Sequence, residues 1–462
     1  VTVPVVDRHL FVIFGGTGDL ARRKLIPSLH RLITENDMAD RCIVLGVAPG
    51  DLDDDEYRAW ARKALIETGL GEDDLASWAD ENVFYQRIGD GAESYNRLRR
   101  RIETIEADRG LPGNRAFYLA LPPSVFPAAI TGLGNAGLAS SPGWTRLVIE
   151  KPIGHDLTSA RDLNATVHQH FDEAQVYRID HYLGKETVQN LMAFRFSNPM
   201  FESSWNRDRV ESVEITVAED LGIGTRAAYY ESAGALRDMV QNHLTQVLAL
   251  VAMEPPRSFD AEQIRNEKVK VMEAIAPIRR ENVVFGQYDA GTIDGVPVPG
   301  YHDEDGVAPR SVTPTFVGIK LEVDTWRWQG VPFYLRTGKR LPKRLTQIAV
   351  TFRRPALCIF HGQRDSCEVD ADVLLITLQP DEGFTLHFNV KAPGQPFRLD
   401  SQALRFSHQD AYGRLPDAYQ ALILDVIEGD QTLFVRSDEV EASWRIYDPL
   451  LEHTPEPHRY TA

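Results

Sequence analysis

The sequence predicts a doubly wound α/β domain of Rossmann type, with a parallel sheet, followed by an α+β domain built on a large, mainly antiparallel sheet. Three observations predict it. Over about the first 180 residues, short Val/Ile/Leu/Phe runs alternate with amphipathic segments, the pattern of buried parallel strands and their crossover helices. A glycine-rich turn, Gly15-Gly16-Thr17-Gly18-Asp19-Leu20-Ala21, follows the first run directly. Beyond it, the strand-like segments switch to apolar–polar alternation separated by turn residues, as in half-buried antiparallel strands. The expected domains are 1–178 and 179–462.

The first-domain strands are expected at 10–14 (LFVIF), 42–47 (CIVLGV), 83–85 (VFY), 116–121 (AFYLAL), 146–149 (RLVI) and 176–179 (VYRI). Helical patterns fill the gaps at 19–32, 53–67, 94–107, 124–138 and 156–171, several opening on an Asp or Ser that suits an N-cap. Repeated strand–helix–strand units imply right-handed crossovers. In the second domain, alternation at 210–217, 317–323, 344–352, 372–378 and 385–390 predicts strands, with helices near 235–253 and 415–428. Residues 286–312, rich in Gly, Pro and Asp, read as a long surface loop.

Composition narrows the function. Lys and Arg total 50 against 67 Asp and Glu, a net charge of -17, opposite to the basic footprint of a nucleic-acid binder. No apolar run approaches the ~18 residues of a bilayer span; the longest lies around 247–253. The opening VTVPVVDRHL lacks the succession of a signal peptide. Three cysteines, Cys42, Cys358 and Cys367, form no CxxC, which argues against a disulfide framework or zinc cage and for a reducing compartment. A soluble cytoplasmic protein is expected.

Gly16, Gly18 and Ala21 fit G-x-G-x-x-G/A after the first strand and at the start of a helix. That is the context in which backbone N–H groups and a helix N-terminus receive a pyrophosphate. Glu150-Lys151-Pro152 follows the fifth strand, at the end where doubly wound sheets bind ligands. The sixth strand runs into Asp180-His181-Tyr182-Leu183-Gly184-Lys185, whose His181 and Lys185 offer donors to an anion such as phosphate. In 234–244 (GALRDMVQNHL), His243 falls on the apolar stripe. Such a histidine is ordinarily a core residue, but a carboxylate partner would make it a base. Asp238, five positions earlier, lies about 140° away round an α-helix, so periodicity alone does not bring it to His243. Finally, 336–344 (RTGKRLPKR) packs five cations into nine residues around Gly338 and Pro342, a shaped turn suited to an anion.

These blocks, GGTGDLARRKLIPSL, YLALPPSVF, EKPIGHDL, RIDHYLGKE, GALRDMVQNHL and FYLRTGKRLPKR, with the tail LDVIEGDQTLFVRSDEVEASW, resemble the glucose-6-phosphate 1-dehydrogenase family in order and spacing over nearly the whole chain. RIDHYLGKE is the most specific of them. The resemblance implies oxidation of β-D-glucose 6-phosphate at C1 to the δ-lactone, the first step of the oxidative pentose phosphate pathway. It implies His243 as general base and Asp180 as its carboxylate; His181, Tyr182 and Lys185 on the 6-phosphate; and Glu219 and Asp238 on sugar hydroxyls. Lys151 would sit between sugar and nicotinamide, and Lys339 would reach the substrate. The family's second lysine, five positions on, is Arg344 here, with Lys343 beside it, so either Lys343 or Arg344 would reach the sugar. Gly15, Gly16, Thr17, Gly18, Asp19, Leu20, Arg22 and Lys151 would hold the cofactor. No metal is implied, since hydride transfer needs a base and alignment. Family members dimerise through the second domain's sheet, which implies a homodimer or a dimer of dimers, with no nucleic-acid or membrane partner.

One departure bears on the cofactor. Where the family carries an Arg for the adenosine 2′-phosphate, this chain has Pro49, followed by Asp51, Asp53, Asp54 and Asp55. The resemblance points to NADP; the residues leave NAD open. The alternatives are a dehydrogenase of another sugar phosphate and a non-catalytic assembly partner. The latter would be expected to have lost the base or the glycine turn, and both are present.

Overall fold

The computed structural model describes residues 6–35, 41–69, 78–357, 359, 369–394, 398–413, 417–452 and 455–461. Cys358 and Cys367 lie outside them. The chain divides into two compact units.

The first unit comprises Val1–Gly184, Asp260–Arg265 and Pro416–Glu441. Its sheet contains β1 (His9–Phe14), β2 (Cys42–Ala48), β3 (Val83–Arg87), β4 (Arg115–Leu119), β5 (Thr145–Ile149), β6 (Val176–Ile179) and, much later in the chain, β17 (Phe434–Val435). Their order is β3-β2-β1-β4-β5-β6-β17. All pairs are parallel except β17 on β6. The six-strand order is that of a dinucleotide-binding sheet, whose direction of winding reverses between β1 and β4. Every residue of β1, β2 and β4 is buried, because helices cover both faces. Leu10, Val12 and Phe14 pack with Leu45, Val47, Ile102 and Ile130 in one continuous cluster. Asp53 and Asp156 cap the helices Asp54–Ile66 and Leu157–His168, each through a capping box.

The division expected at 178/179 assigned 260–265 and 416–441 to the second domain, yet both stretches belong to the first unit. The reason is an unfilled edge. β17 pairs with β6, and the Gln431 amide donates to the Val176 carbonyl at 2.9 Å. Arg146 donates to the carbonyls of Val426 and Ile427 at 2.7 and 2.6 Å.

The second unit contains β7 (Val210–Ala218), β8 (Val283–Asp289), β9 (Gly291–Ile293), β10 (Val296–Val298), β11 (Phe316–Leu321), β12 (Phe333–Gly338), β13 (Leu345–Phe352), β14 (Val373–Gln379), β15 (Gly383–Lys391), β16 (Leu399–Ser407) and β18 (His458–Thr461). Nine of them form one sheet, ordered β16-β15-β14-β13-β7-β12-β11-β8-β18. It is antiparallel except at β7·β12 and β8·β18. Burial alternates along β11, β13 and β14, as their sequence pattern predicts.

Residues 286–312 are not the long loop expected. β8 continues to Asp289, and β9 and β10 make a hairpin. The hairpin turns on Asp294-Gly295, both at positive φ (50° and 79°), the Asp-Gly signature of a two-residue loop. Tyr301, beyond it, is fully buried. Among the described residues, no helix is long and apolar enough to cross a membrane.

Candidate active site

The glycine turn leaves β1 at the point where the strand order reverses. Gly15 sits at φ +76°, and a Cβ there would stand 2.1 Å from the Ala120 carbonyl oxygen. A Cβ on Gly16 would stand 2.8 Å from the Gly46 Cα. Both positions therefore need glycine: β4 and β2 close in on the turn. The Gly15 and Gly16 amides donate to the Val47 carbonyl at 2.8 and 3.1 Å, and the Tyr57 hydroxyl donates to the Gly16 carbonyl at 2.9 Å. The helix opens at Asp19 and Leu20 and passes through a π-helical turn, Ala21–Leu25. First-turn N–H groups have no partner inside their own helix, so this rigid turn fits a pyrophosphate.

Two further strand ends carry candidate residues. After β5, Glu150 is buried and accepts the Tyr118 hydroxyl at 2.6 Å. Burial pushes its carboxyl up, while hydrogen bonds from Tyr118 and Tyr419 hold it down. The Lys151–Pro152 peptide bond that follows is cis. After β6, Asp180 is buried, and its Oδ1 accepts the Tyr182 N–H at 2.9 Å. The Leu183 N–H donates to the Asp180 carbonyl at 3.0 Å. The His181 and Tyr182 rings meet edge-on at 5.2 Å.

In the second unit, Lys185 is the N-cap of the helix Glu186–Phe196; burial raises the Glu382 carboxyl, and the Lys185 charge offsets only part of that rise. β7 and β12 run parallel and end in register at Ala218 and Gly338, so the next residues, Glu219 and Lys339, emerge side by side. The Lys339 ammonium donates to Glu219 Oε2 at 2.6 Å and lies 5.3 Å from the Tyr230 ring centroid. Lys339 is held further by its N–H to the Thr315 carbonyl at 3.0 Å, while its own carbonyl accepts the Tyr460 hydroxyl at 2.7 Å. Tyr229 donates its hydroxyl to Asp238 Oδ1 at 3.1 Å. Burial, with the negative charge of Asp238 and Glu219 added, pushes the Tyr230 phenol well above its ordinary value. Tyr229 and Tyr230 were missed by the sequence reading; their only signal is two tyrosines just ahead of GALRDMVQNHL.

The helix expected at 235–253 breaks from its predecessor at Gly234 (φ 59°, ψ 178°), runs as a π-helix over Leu236–Leu244 and becomes an α-helix over Thr245–Ala252. This corrects the angular argument about Asp238. A π-helix bonds residue i to i+5, so the five positions from Asp238 to His243 span little more than one turn, and the ~140° separation of an α-helix does not hold. Both are buried. The segment packs against β12.

The five-cation run is not a solvated loop throughout. Arg336 pairs with Glu214, Lys339 with Glu219, and Arg340 with Glu304 at 3.2 Å. Lys343 and Arg344 are exposed, with Arg344 3.4 Å from Gln379 Oε1. At the carboxyl end of β2, Pro49 is exposed. Arg22 makes a two-pronged pair with Glu67, its Nε 2.8 Å from Oε2, and Arg23 lies 2.7 Å from Asp19.

A dinucleotide-binding sheet with a glycine turn at its switch point, in a chain whose second unit gathers a buried lysine, carboxylates and tyrosines, defines a nicotinamide-dinucleotide-dependent oxidoreductase. Residues 12–190 match the model of the glucose-6-phosphate dehydrogenase NAD binding domain, and 192–462 that of its C-terminal domain. Glucose-6-phosphate 1-dehydrogenase of Chlamydia muridarum is 42% identical over 98% of this chain and 91% of its own. The Bacillus subtilis enzyme is 44% identical over 96% and 91%. A solved glucose-6-phosphate dehydrogenase, in complex with its substrate glucose-6-phosphate, superposes with a TM-score of 0.91 at 36% identity, over 99% of this chain and 95% of that one. The chain belongs to the glucose-6-phosphate dehydrogenase family.

Proposed function

We propose that the chain oxidises β-D-glucose 6-phosphate at C1 to 6-phosphoglucono-δ-lactone. The C1 hydrogen leaves as hydride and the C1 hydroxyl gives up its proton to a base. The observation that carries this reading is the match of both halves of the chain to one dehydrogenase family. His243 is the base, and Asp180 is the carboxylate that stabilises the imidazolium. The buried, amide-anchored carboxylate of Asp180 suits that task. His181, Tyr182 and Lys185 bind the 6-phosphate. Glu219 and Asp238 accept sugar hydroxyls, Lys339 donates to the sugar beside them, and Arg344 or Lys343 reaches it from the following turn.

Gly15, Gly16, Thr17, Gly18, Asp19, Leu20 and Arg22 hold the cofactor, with Lys151 between sugar and nicotinamide. The nicotinamide, when bound, accepts the hydride. We assign NADP as the preferred form, with NAD also turning over, because Pro49 removes the arginine at the end of β2 and Asp51 follows it. The chain works as a homodimer or a dimer of dimers: β16 is the edge of its sheet and exposes Leu404 and Phe406. Its reducing, cytoplasmic setting suits the unbridged thiol of Cys42, which burial pushes up to about 12.

The test is absorbance at 340 nm with glucose 6-phosphate and each nicotinamide in turn. Turnover with both cofactors is expected, with Pro49→Arg shifting the ratio of kcat/KM towards NADP by about tenfold, ~1.4 kcal/mol. No turnover with either would overturn the substrate reading. A wild type preferring NADP by several orders of magnitude would overturn the cofactor reading.

A further inference from the structure

On a sheet of this kind the adenosine ribose lies over the carboxyl end of the second strand, where a nearby acid meets the 2′-hydroxyl or an arginine meets a 2′-phosphate. Here that place is occupied by Ala48, Pro49, Gly50 and Asp51, which bring no cationic side chain. Arg22 and Arg23 also pair with carboxylates, but they lie on the first helix and not on a strand paired with β2. The neighbouring strand supplies another arginine. Arg87 is the last residue of β3 and stands in register with Ala48, the last residue of β2. The two strand ends are tied together: the Ile88 N–H donates to the Ala48 carbonyl at 3.0 Å, and the Tyr85 hydroxyl donates to the carbonyls of Ala48 and Gly50 at 3.0 and 2.7 Å. The Arg87 guanidinium lies 3.3 Å from Asp51 Oδ1, and the two side chains are 61% and 87% exposed.

We propose that Arg87, from the third strand, supplies the guanidinium that meets the adenosine 2′-phosphate, and that Asp51 is its partner until that phosphate arrives. The proposal rests on the dinucleotide reading above and names the residue that meets the 2′-phosphate where the end of β2 itself supplies no cation. Adjacent strands are about 4.8 Å apart, a gap that an arginine side chain spans. The planar guanidinium suits two-pronged phosphate binding. An exposed ion pair adds little to stability, so Arg87 exchanges a carboxylate for a phosphate of greater charge with little loss. Asp51 then acts twice. It repels the 2′-phosphate, which limits the preference for NADP, and it can accept the 2′-hydroxyl of NAD. The Asp51–Arg87 pair therefore sets the cofactor ratio.

Calorimetric titration of the full chain with adenosine 2′,5′-bisphosphate and with 5′-AMP tests this apart from catalysis. Arg87→Ala should weaken the bisphosphate tenfold or more while 5′-AMP moves less than twofold, and Arg87→Lys should recover part of the loss. Asp51→Asn should tighten the bisphosphate severalfold. In turnover, Arg87→Ala should raise KM for NADP with kcat little changed. A bisphosphate affinity that Arg87→Ala leaves unchanged, or a loss shared equally with 5′-AMP, overturns the role of Arg87 while the cofactor reading stands. A wild type that binds both nucleotides equally has no 2′-phosphate site, and that result overturns both.

Discussion

Replacing Lys339 with Met probes the second-unit cluster. The Lys339 side chain is 3% exposed, and its ammonium is 2.6 Å from a Glu219 carboxylate that is 34% exposed. Met fills nearly the same volume, so cavity formation contributes little. What remains is a carboxylate without its partner, near Tyr230. Breaking a fully buried pair costs about 3–5 kcal/mol. Glu219 keeps a third of its surface in water, which brings the expected loss nearer the ~1–3 kcal/mol of an unsatisfied polar group. For a unit of this size, that corresponds to a fall in Tm of roughly 2–10 °C. Thermal melts of Lys339→Met, Glu219→Gln and the double variant form a double-mutant cycle. The double variant should recover much of the loss, because no carboxylate is then stranded. Steady-state assays should show kcat/KM for glucose 6-phosphate falling while KM for the cofactor holds. A Lys339→Met protein that melts with the wild type, or a double variant no more stable than Lys339→Met, would refute the pairing argument.

His243→Asn should lower kcat by about 10²–10⁴, the worth of a positioned base, with glucose 6-phosphate still binding by calorimetry; near wild-type turnover would return His243 to the role of a core residue. Lys185→Ala should cost about ten- to a hundredfold in kcat/KM on glucose 6-phosphate, the equivalent of roughly 1.5–3 kcal/mol, and little on glucose; equal losses on both sugars would show that Lys185 does not bind the phosphate. His9, fully buried with Nδ1 donating to the Asp7 carbonyl at 2.8 Å, has its pKa lowered by burial from 6.5 to about 4. Between those values the unfolded chain takes up a proton that the fold excludes, so stability is whole above pH 6.5 and falls as pH drops towards 4, by roughly 3 kcal/mol at about 1.4 kcal/mol per pH unit. Denaturant titrations of His9→Asn across that range should lack this component; an unchanged pH slope would show that His9 is not its source.

Much of the fold was legible because it is local. β1, β2 and β4 announce themselves as unbroken apolar runs, since both faces of a parallel sheet are covered. Asp53 and Asp156 mark helix starts because a capping carboxylate acts within three residues of itself. The glycine turn is readable because two adjacent features, a strand end and a helix start, impose it. Asp294-Gly295 is equally local: a composition rich in Gly, Pro and Asp suits a loop, but this dipeptide specifies a turn type.

The tertiary structure decided what depends on distant partners. β17 joins the first sheet because β6 offered an unpaired edge, and nothing near residue 434 states that. Lys339 meets Glu219, 120 positions away in the chain, because β7 and β12 pair in parallel and end together. Arg87 stands beside Ala48, and pairs with Asp51, because β2 and β3 share a register. The π-helical stretch that narrows the angle between Asp238 and His243 is a shift in backbone hydrogen bonding, which side-chain periodicity does not encode. Chemistry carried by neighbouring residues is written in the sequence by itself; chemistry that needs two strand ends or a shifted helix waits for packing, which selects partners by the edges and faces still left to bury.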